Sequence, residues 1–373
     1  MTDVERVRVR YRMAPITGET PERVARRVAL EQTVELPDGC YPLGIDERSV
    51  GRIERVGSDG DRWEFTISYG SWLVKRDVPQ LLNLLFGNVS LFRDVEITEV
   101  ELPRGLLREL AGPRHGIEGV RQLCRAPGRP LLCSAAKPVG LSARELADRC
   151  AAFARGGVDI VKDDHGITDQ APAPFVERVE RCQEAVERAN AASGRSACYF
   201  PNVTGPVEEM QTRVAFARAA GCRGVLVSPF VIGLDAVRWL AASAGLVILA
   251  HPAFAGGIGR PGHGIAPAVL FGTLLRALGA DGVILINAGG RFPVAETEAL
   301  GIVERLRDAA LPVRPALPVL GGGVSVSEVP RWVSRYGRDV MFLVGSDLYA
   351  RGDLERAAEG LRQRVERSVE VRS

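Results

Sequence analysis

The sequence predicts an α/β protein that has a C-terminal (β/α)8 barrel, the TIM-barrel architecture, behind an N-terminal ferredoxin-like α+β domain. Two observations support this prediction. From about residue 130 onward, short apolar segments alternate eight times with amphipathic segments of helical period. Before residue 112, strand-like and helix-like segments follow the order β-α-β-β-α-β instead. We therefore predict two domains, residues 1–112 and residues 113–373, with the active site in the second.

The N-terminal elements can be recognised one by one. Residues 7–15 alternate polar and apolar side chains, as a half-buried strand does. Thr20 is a suitable N-cap, and Pro21 suits the first turn of the helix that we predict there. The turn sequence Ser58-Asp59-Gly60 predicts a hairpin. In chain order, the predicted elements are strand 7–15, helix 20–33, hairpin 52–70, helix 78–90 and strand 95–103.

Eight strands are predicted in the second domain, each followed by a helix. The Gly- and Pro-rich link 110–130 is expected to wrap the lower end of the barrel that they form. A doubly wound open sheet is the alternative, but such a sheet rarely needs eight uniform units. The predicted strands are 129–137, 158–164, 198–203, 224–230, 246–252, 282–290, 316–323 and 339–347.

The composition is that of a globular protein without a bias toward nucleic acid. Of the 373 residues, 46% are hydrophobic and only 6% aromatic, and the formal net charge is +2. Without a basic face or an aromatic stacking platform, nucleic-acid binding is not expected. No apolar run is long enough to cross a membrane, and the charged N-terminus is unlike a secretory signal. The seven scattered cysteines favour a reducing, cytoplasmic location.

The candidate site residues follow the predicted barrel strands, because the carboxyl ends of these strands carry the active site in such barrels. Lys137 follows the first strand, and the run Lys162-Asp163-Asp164-His165 ends the second. His251 directly follows the buried fifth strand, which favours a functional role for it. The other polar or glycine-rich strand ends are Asn202 with Thr204, Gly289-Gly290-Arg291, Gly321-Gly322-Gly323 and Gly345-Ser346-Asp347.

Glycine-rich segments end the seventh and eighth strands, where such barrels commonly bind phosphate. Bare backbone N–H groups can approach an anion closely at these points. The alternative is that the glycines only allow tight turns. Because glycines occur on both strands, we favour phosphate. The residues expected to bind the phosphorylated substrate are Gly321, Gly322, Gly323, Gly345, Ser346 and Asn202.

The end of the second strand indicates a divalent metal site. Side chains alternate along a strand, so Lys162 and Asp164 point to one side and Asp163 to the other. With His165 just beyond, Lys162 and Asp164 could share an ion if the lysine amine reacts with CO2. The resulting carbamate is an oxygen ligand, and oxygen ligands suit Mg²⁺. The alternative is a salt bridge between Lys162 and Asp164, but the other polar strand ends nearby favour the functional interpretation.

These motifs resemble those of RuBisCO and of its non-CO2-fixing relatives, the RuBisCO-like (form IV) proteins. The resemblance covers nearly the whole chain. It includes GGVDIVKDDHGITDQ at 156–170, KPVGLS at 137–142 and LPVLGGGVSVSEVP at 317–330. In the N-terminal domain, which resembles the small domain of that family, it includes FGNVS at 86–90.

The resemblance implies a role for individual residues. Glu31 and Asn88 are implied to reach the active site of a neighbouring subunit, in a homodimer or a higher multiple of dimers. Gly321, Gly322, Gly323 and Gly345 match the family's phosphate-binding backbone. The implied site roles are carbamylated lysine for Lys162, metal carboxylate for Asp164, catalytic lysine for Lys137 and active-site histidine for His251.

Several residues depart from the RuBisCO pattern. His165 stands where the family has the glutamate that is its third metal ligand, and imidazole favours softer metals than Mg²⁺. Arg291 takes the place of the mobile-loop lysine that handles CO2, and Gly321 replaces a serine. These losses argue against CO2 fixation on ribulose bisphosphate.

What the chain retains is the part of the site that forms an enolate. A divalent ion, expected to be Mg²⁺, polarises a carbonyl, and either Lys137 or the carbamate of Lys162 removes the α-proton. We expect first a 3-oxo-isoapionate 4-phosphate transcarboxylase/hydrolase of sugar-acid catabolism, because Arg291 would suit a substrate carboxylate. The alternative is methionine salvage, as 2,3-diketo-5-methylthiopentyl-1-phosphate enolase or 5-methylthioribulose-1-phosphate isomerase. A silent scaffold barrel is the alternative of another class, and the retained Asp164 and His251 argue against it.

Overall fold

The N-terminal sheet has the ferredoxin-like strand order that the sequence predicts. The computed structural model describes residues 5–42, 44–45, 49–110, 112–260 and 262–370. Four antiparallel strands lie in the order β4-β1-β3-β2, and the helices Pro21–Glu31 and Val78–Phe86 connect them. The strands are β1 (Arg6–Met13), β2 (Arg52–Asp59), β3 (Arg62–Gly70) and β4 (Val95–Glu101).

A short hairpin from the barrel extends this sheet. Its strands, β10 (Gly259–Arg260) and β11 (His263–Ile265), lie in the connection after the fifth barrel strand. The second of them pairs in parallel with β4, where Ile265 is opposite Ile97. The hairpin therefore attaches one edge of the N-terminal sheet to the carboxyl-end loops of the barrel.

Eight parallel strands form the predicted barrel in strict sequence order. The hydrogen-bonded neighbours run β7-β6-β5-β14-β13-β12-β9-β8, and a parallel bridge between Asn202 and Leu226 joins the third strand to the fourth. The open sheet is thereby ruled out. The barrel strands are β5 (Leu131–Ala136), β6 (Ile160–Asp163), β7 (Cys198–Phe200), β8 (Gly224–Val227), β9 (Val247–Ala250), β12 (Gly282–Ile286), β13 (Leu317–Gly321) and β14 (Met341–Leu343).

Each barrel strand is followed by a helix on its outer face, and after β8 and β14 a short helix, Pro229–Ile232 or Ser346–Tyr349, comes first. The first begins with a capping box between Ser142 and Glu145 and ends at Gly157, whose φ of 90° suits a glycine. The fifth begins as a π-helix, Ala268–Leu274, and continues as Leu275–Ala277. The first helix and the six besides the fifth span Ala143–Gly156, Phe175–Ser193, Val207–Ala219, Asp235–Ser243, Glu296–Arg307, Val329–Tyr336 and Leu354–Glu370.

The amino end of the barrel is closed, which leaves the carboxyl end for chemistry. The helix Gly116–Cys124 in the predicted link contributes Ile117 and Val120 to the cluster of apolar side chains inside the barrel. Asp281, just before β12, holds this helix by accepting hydrogen bonds from the backbone N–H groups of His115 and Gly116. Within the described ranges, no helix is both long and apolar enough to cross a membrane. The domain boundary between residues 112 and 113 stays a prediction.

Candidate active site

A cleft of about 790 Å³ opens at the carboxyl ends of the barrel strands. Ten of the residues proposed from the sequence as catalytic, metal-binding or substrate-binding line it, from six different strand ends. The last residues of all parallel strands lie at the same end of the barrel, so positions that are distant in sequence meet there. The ten are Lys137, Lys162, Asp164, His165, His251, Arg291, Gly322, Gly323, Gly345 and Ser346.

Lys162 lines the cleft and is almost completely buried, with only 1% of its surface exposed. Its Nζ donates a hydrogen bond to the Asp163 carbonyl at 3.1 Å. No ion pair to this amine occurs in the described part of the chain, so the alternative of a Lys162–Asp164 salt bridge is not what the structure contains. Burial lowers the pKa of Lys162, and the charge of Lys137 adds to this effect. A lowered pKa increases the share of neutral amine, which is the form that reacts with CO2.

Asp164 and His165 form an acidic and basic pair at the rim. The His165 Nδ1 lies 3.4 Å from the Asp164 Oδ1, and both side chains are partly exposed. Burial acts to raise the pKa of Asp164, but the hydrogen bond from His165 and the charge of Lys162 outweigh it and lower this pKa to about 2. Asp164 is therefore an ionised carboxylate at neutral pH. It offers oxygen atoms to a cation or to a hydrogen-bond donor.

His251 is held neutral and in one tautomer. Burial is the main cause that lowers its pKa to about 2, with the charge of Lys162 and the nearby His165 contributing. The His251 Nδ1 accepts a hydrogen bond from the backbone N–H of Ala253 at 3.1 Å. The ring proton must then be on Nε2, which leaves His251 with one N–H to donate to a substrate oxygen.

Lys137 stands beside the glycines of the eighth strand end. The Lys137 Nζ lies 5.5 Å from the centre of the Tyr349 ring. A Cβ atom on Gly345 would come within 3.1 Å of this Nζ, so the absence of a side chain there makes room for the amine. The chain has three lysines in all, and two of them, Lys137 and Lys162, line this cleft.

The loops after β12 and β13 are packed against each other at the predicted phosphate locus. The backbone N–H of Arg291 donates to the carbonyl of Gly322 at 3.3 Å. Gly323 has φ of +139°, and a Cβ atom there would lie 2.3 Å from the Cα of Gly290. In the described part of the chain, the N–H groups of Gly322, Gly323 and Gly345 donate to no protein acceptor. They can therefore bind an anion, as predicted for phosphate.

Two residues of the predicted phosphate site do not line the cleft. Gly321 is the buried last residue of β13, and its carbonyl accepts the N–H of Asn287. Asn202 is completely buried, and its side chain donates to the carbonyls of His165 and Ile167, each at 3.0 Å. Asn202 therefore lies outside the cleft with its amide bonded to protein carbonyls, and a contact between Asn202 and substrate stays a prediction.

Glu31 and Asn88 lie together on the N-terminal domain. The Asn88 Nδ2 donates to Glu31 at 2.9 Å and to Glu35 at 2.8 Å. Neither Glu31 nor Asn88 lines the cleft of its own chain. Their role in the cleft of a neighbouring subunit stays a prediction.

Sequence reasoning missed the apolar wall of the cleft. Ile284 and Ile286 alternate with Leu285 along β12, and this two-residue period could have placed both inside the barrel. The π-helix contributes Phe271, whose orientation no local pattern indicates. The larger aliphatic and aromatic residues that line the cleft are Ile265, Leu270, Phe271, Ile284, Ile286, Phe292, Val294, Ile302, Val324 and Leu343.

The polar residues fit a divalent ion only with a modified lysine. Among the described residues, no group of three His, Cys, Asp or Glu side chains is placed to hold a metal. Asp164 and His165 supply two such groups, and Lys162 is the third neighbour. As a carbamate, Lys162 would supply the missing oxygen ligand, and its buried, pKa-lowered amine suits that reaction. The ion and the carbamate stay predictions.

Known sequences resemble this chain over nearly its full length. The family model described as ribulose bisphosphate carboxylase large chain, catalytic domain, matches residues 116–371. Ribulose bisphosphate carboxylase-like protein 1 of Rhodopseudomonas palustris is 38% identical, over 94% of each chain. The 5-methylthioribulose-1-phosphate isomerase of Rhodospirillum rubrum is 36% identical, over 93% of this chain and 92% of its own. The 2,3-diketo-5-methylthiopentyl-1-phosphate enolase of Geobacillus kaustophilus is 32% identical, over 87% of this chain and 80% of its own.

Solved structures show the same architecture. The Rubisco-like protein from Rhodopseudomonas palustris superposes with a TM-score of 0.85 at 35% identity, and 98% of each chain is covered. An octameric ribulose-1,5-bisphosphate carboxylase/oxygenase from Pyrococcus horikoshii superposes with a TM-score of 0.92 at 27% identity, over 98% of this chain and 90% of that chain. These matches include both the N-terminal sheet and the barrel.

Proposed function

Because the chain belongs to the RuBisCO large-chain family, among its non-carboxylating RuBisCO-like members, we propose that it enolises a phosphorylated methylthio ketone of methionine salvage. The first candidate reaction is the isomerisation of 5-methylthioribulose 1-phosphate. The second candidate is the enolisation of 2,3-diketo-5-methylthiopentyl 1-phosphate. Both reactions begin with removal of a proton next to a carbonyl, and they differ in where the proton returns.

The apolar wall is the observation that carries this proposal. The unpaired N–H groups of Gly322, Gly323 and Gly345 can hold one phosphate, and the same cleft is lined by Phe271, Ile286 and other apolar side chains. Transfer of a methylthio group from water to such a surface is favourable. Transfer of the hydroxyl or carboxylate of a sugar acid is unfavourable unless the group finds a hydrogen-bond or charged partner.

The relatives support methionine salvage over the sugar-acid activity that we expected first. The isomerase and the enolase are each more than 30% identical to this chain over most of its length. Arg291, which suggested a substrate carboxylate, lies beside the phosphate locus with its guanidinium 4.9 Å from the Phe292 ring. It can instead neutralise phosphate charge.

The chain's own residues account for binding and proton transfer. The glycine N–H groups hold the phosphate, and His251 donates its Nε2 proton to a substrate oxygen. The Lys137 amine or the carbamate of Lys162 takes the proton from carbon, since both side chains line the cleft and the lowered pKa of the Lys162 amine favours its reaction with CO2. When bound by Asp164, His165 and carbamylated Lys162, a divalent ion supplies positive charge that stabilises the enolate oxygen.

Deuterium exchange tests the proposal directly. Each methylthio substrate, and 3-oxo-isoapionate 4-phosphate, is offered to the enzyme in D2O with Mg²⁺ and bicarbonate, and exchange and products are followed by NMR. We expect exchange and conversion with a methylthio substrate and neither with the sugar acid. Exchange with the sugar acid alone would overturn the proposed substrate class.

Lysine variants identify the base. We expect Lys137→Met or Lys162→Ala to lower exchange by on the order of 10²–10⁴, and Lys162→Ala also to abolish any activation by bicarbonate. Lys75→Met is the matched control, because Lys75 is the remaining lysine and is exposed on the N-terminal domain. If Lys137→Met keeps full exchange, Lys137 is not the base. Turnover that still depends on metal in Lys162→Ala would exclude the carbamate.

We further propose that the enzyme works as a dimer or a multiple of dimers, with Glu31 and Asn88 completing a neighbouring cleft. A structural relative is described as octameric. Light scattering measures the assembly, and mixing Asn88→Ala with Lys162→Ala chains tests the shared site. Partial recovery of turnover in the mixture is expected, and a stable, active monomer would exclude the shared site.

A further inference from the structure

Asp163 faces away from the cleft and is completely buried. Its carboxylate accepts hydrogen bonds from the Arg178 Nε at 3.1 Å, the Tyr199 hydroxyl at 2.7 Å and the Asn202 backbone N–H at 2.9 Å. The donors belong to the helix after β6, to β7 and to the end of β7. Asp163 therefore ties three successive elements together at the base of the loop 164–174.

The same partners hold this loop from the other side. Arg178 donates to the carbonyls of Thr168 at 2.5 Å and Ala173 at 2.6 Å. The Asn202 side chain donates to the carbonyls of His165 and Ile167, each at 3.0 Å. Its Oδ1 accepts the N–H of Thr204, so every polar atom of the amide serves the backbone. The loop that carries Asp164 and His165 is thus bonded to buried groups along its length.

We propose that Asp163, Arg178, Tyr199 and Asn202 form a positioning clamp that sets where the side chains of Asp164 and His165 stand in the cleft. The clamp residues act through the loop backbone, and none of them lines the cleft. The ring of His165 stacks on that of His251 with centroids 4.3 Å apart. A fixed loop therefore keeps His165 in contact with a residue that follows another strand. The clamp itself rests on geometry, and its importance for catalysis rests on the proposed function.

The contact between the two histidine rings reports the clamp without any substrate or metal. The chain has four histidines, so protein labelled at histidine Cε1 has four ring signals. In the wild type we expect a cross-relaxation signal between His165 and His251, assigned with a His165→Gln variant. Asn202→Ala should abolish this signal and shift both resonances, while His115 and His263 stay unchanged.

Asn190→Ala is the matched control. Asn190 also exchanges two hydrogen bonds with backbone groups, both of Ala197, at the opposite end of β7. The Asn190→Ala variant should leave all four histidine signals and the contact between the rings unchanged. Tyr199→Phe removes one donor to Asp163 and should weaken the contact between the rings, which gives a milder variant if Asn202→Ala does not fold. An intact ring contact in both Asn202→Ala and Tyr199→Phe would overturn the clamp.

Kinetics then separate the clamp from the proposed function. With the methylthio substrate that the wild type turns over, Asn202→Ala should lower kcat by about 10- to 100-fold, as loss of groups that orient ligands typically does. KM should change less, because the phosphate locus is on other strands, and Asn190→Ala should keep both constants. If the wild type turns over neither substrate while the ring contact responds as expected, the proposed function fails and the clamp stands. Unchanged kcat in Asn202→Ala would overturn its catalytic importance.

Discussion

The imidazole rings of His165 and His251 lie face to face, with centroids 4.3 Å apart and planes inclined by 11°. His165 follows the second barrel strand and His251 follows the fifth, so the contact bridges the mouth of the barrel between strands that are not neighbours. Beside Lys162, a second positive charge would be costly at this position. This arrangement favours a neutral His251 and an amine on Lys162 that loses its proton readily.

The neutral His251 predicts a loss of stability in acid. Its pKa of about 2 in the folded protein lies below the ordinary value of 6.5. Between these values the unfolded chain binds a proton that the folded protein does not, so stability falls as the pH drops below 6.5. Between pH 7 and pH 5 we expect about 2 kcal/mol of this loss from His251 alone. Urea unfolding of metal-free wild type and His251→Asn, compared at both pH values, measures it, and parallel curves would contradict it.

Gly323→Ala is expected to damage the phosphate locus without unfolding the protein. The added Cβ would lie 2.3 Å from the Cα of Gly290, so the loops after β12 and β13 must separate. We expect kcat/KM to fall by on the order of 100-fold, and inorganic phosphate to bind more weakly in calorimetry. Gly337→Ala is the control, because Gly337 also has positive φ but has no atom within 4 Å of the added Cβ. Equal effects of the two changes would point to backbone strain alone.

Ile286→Thr is expected to weaken selection for the methylthio group. Ile286 lines the cleft from β12, and threonine replaces one apolar branch by a hydroxyl. We expect kcat/KM for the methylthio substrate to fall roughly tenfold, with little change for an analogue that has a hydroxyl instead. Ile232→Thr, at a half-buried position that does not line the cleft, should leave both values alone. An equal loss of kcat/KM for both substrates would show that Ile286 does not contribute to selection of the methylthio group.

The Asp163–Arg178 pair is expected to be strongly coupled. Both side chains are completely buried, so Asp163→Asn leaves the Arg178 charge without a partner. We expect a loss of about 3–5 kcal/mol in unfolding free energy for Asp163→Asn or Arg178→Met. The double variant should lose less than the sum, because no unpaired charge remains.

The same helix offers a control for this cycle. Arg181 pairs with Glu177 at 2.8 Å, but both side chains are about half exposed, at 51% and 49%. Glu177→Gln should cost about 1 kcal/mol or less. Strict additivity of the buried pair in urea unfolding would show that the two charges do not interact.

Much of the fold and of the site could be predicted because it depends on local pattern. Apolar side chains recur every two residues in β1 and about every 3.6 residues in the helices, because one face of each element packs on the core. The order of eight strand–helix units then leaves few topologies to consider. Lys137, Lys162, Asp164, His251 and Gly323 could be placed in one cleft because parallel strands of a barrel end at one edge.

Three positions could not be placed correctly relative to the cleft from the sequence, because their surroundings come from other segments of the chain. Asn202 follows a strand as the catalytic residues do, yet its amide faces the backbone of the neighbouring loop. Gly321 is one residue too early in its strand to reach the cleft. Phe271 was missed because the orientation of a π-helix is set by what packs on it.

The sequence by itself determined the architecture, the family and the residue types at each strand end, because these depend on periodicity and on order along the chain. Only the tertiary structure decided which of those residues share the cleft, that Asp163 is buried outside it with Arg178 and Tyr199 as partners, and that an apolar wall lines the same cleft as Gly322, Gly323 and Gly345. Burial, charge and hydrogen-bond partners at these positions come from different segments. They exist only once the barrel has closed.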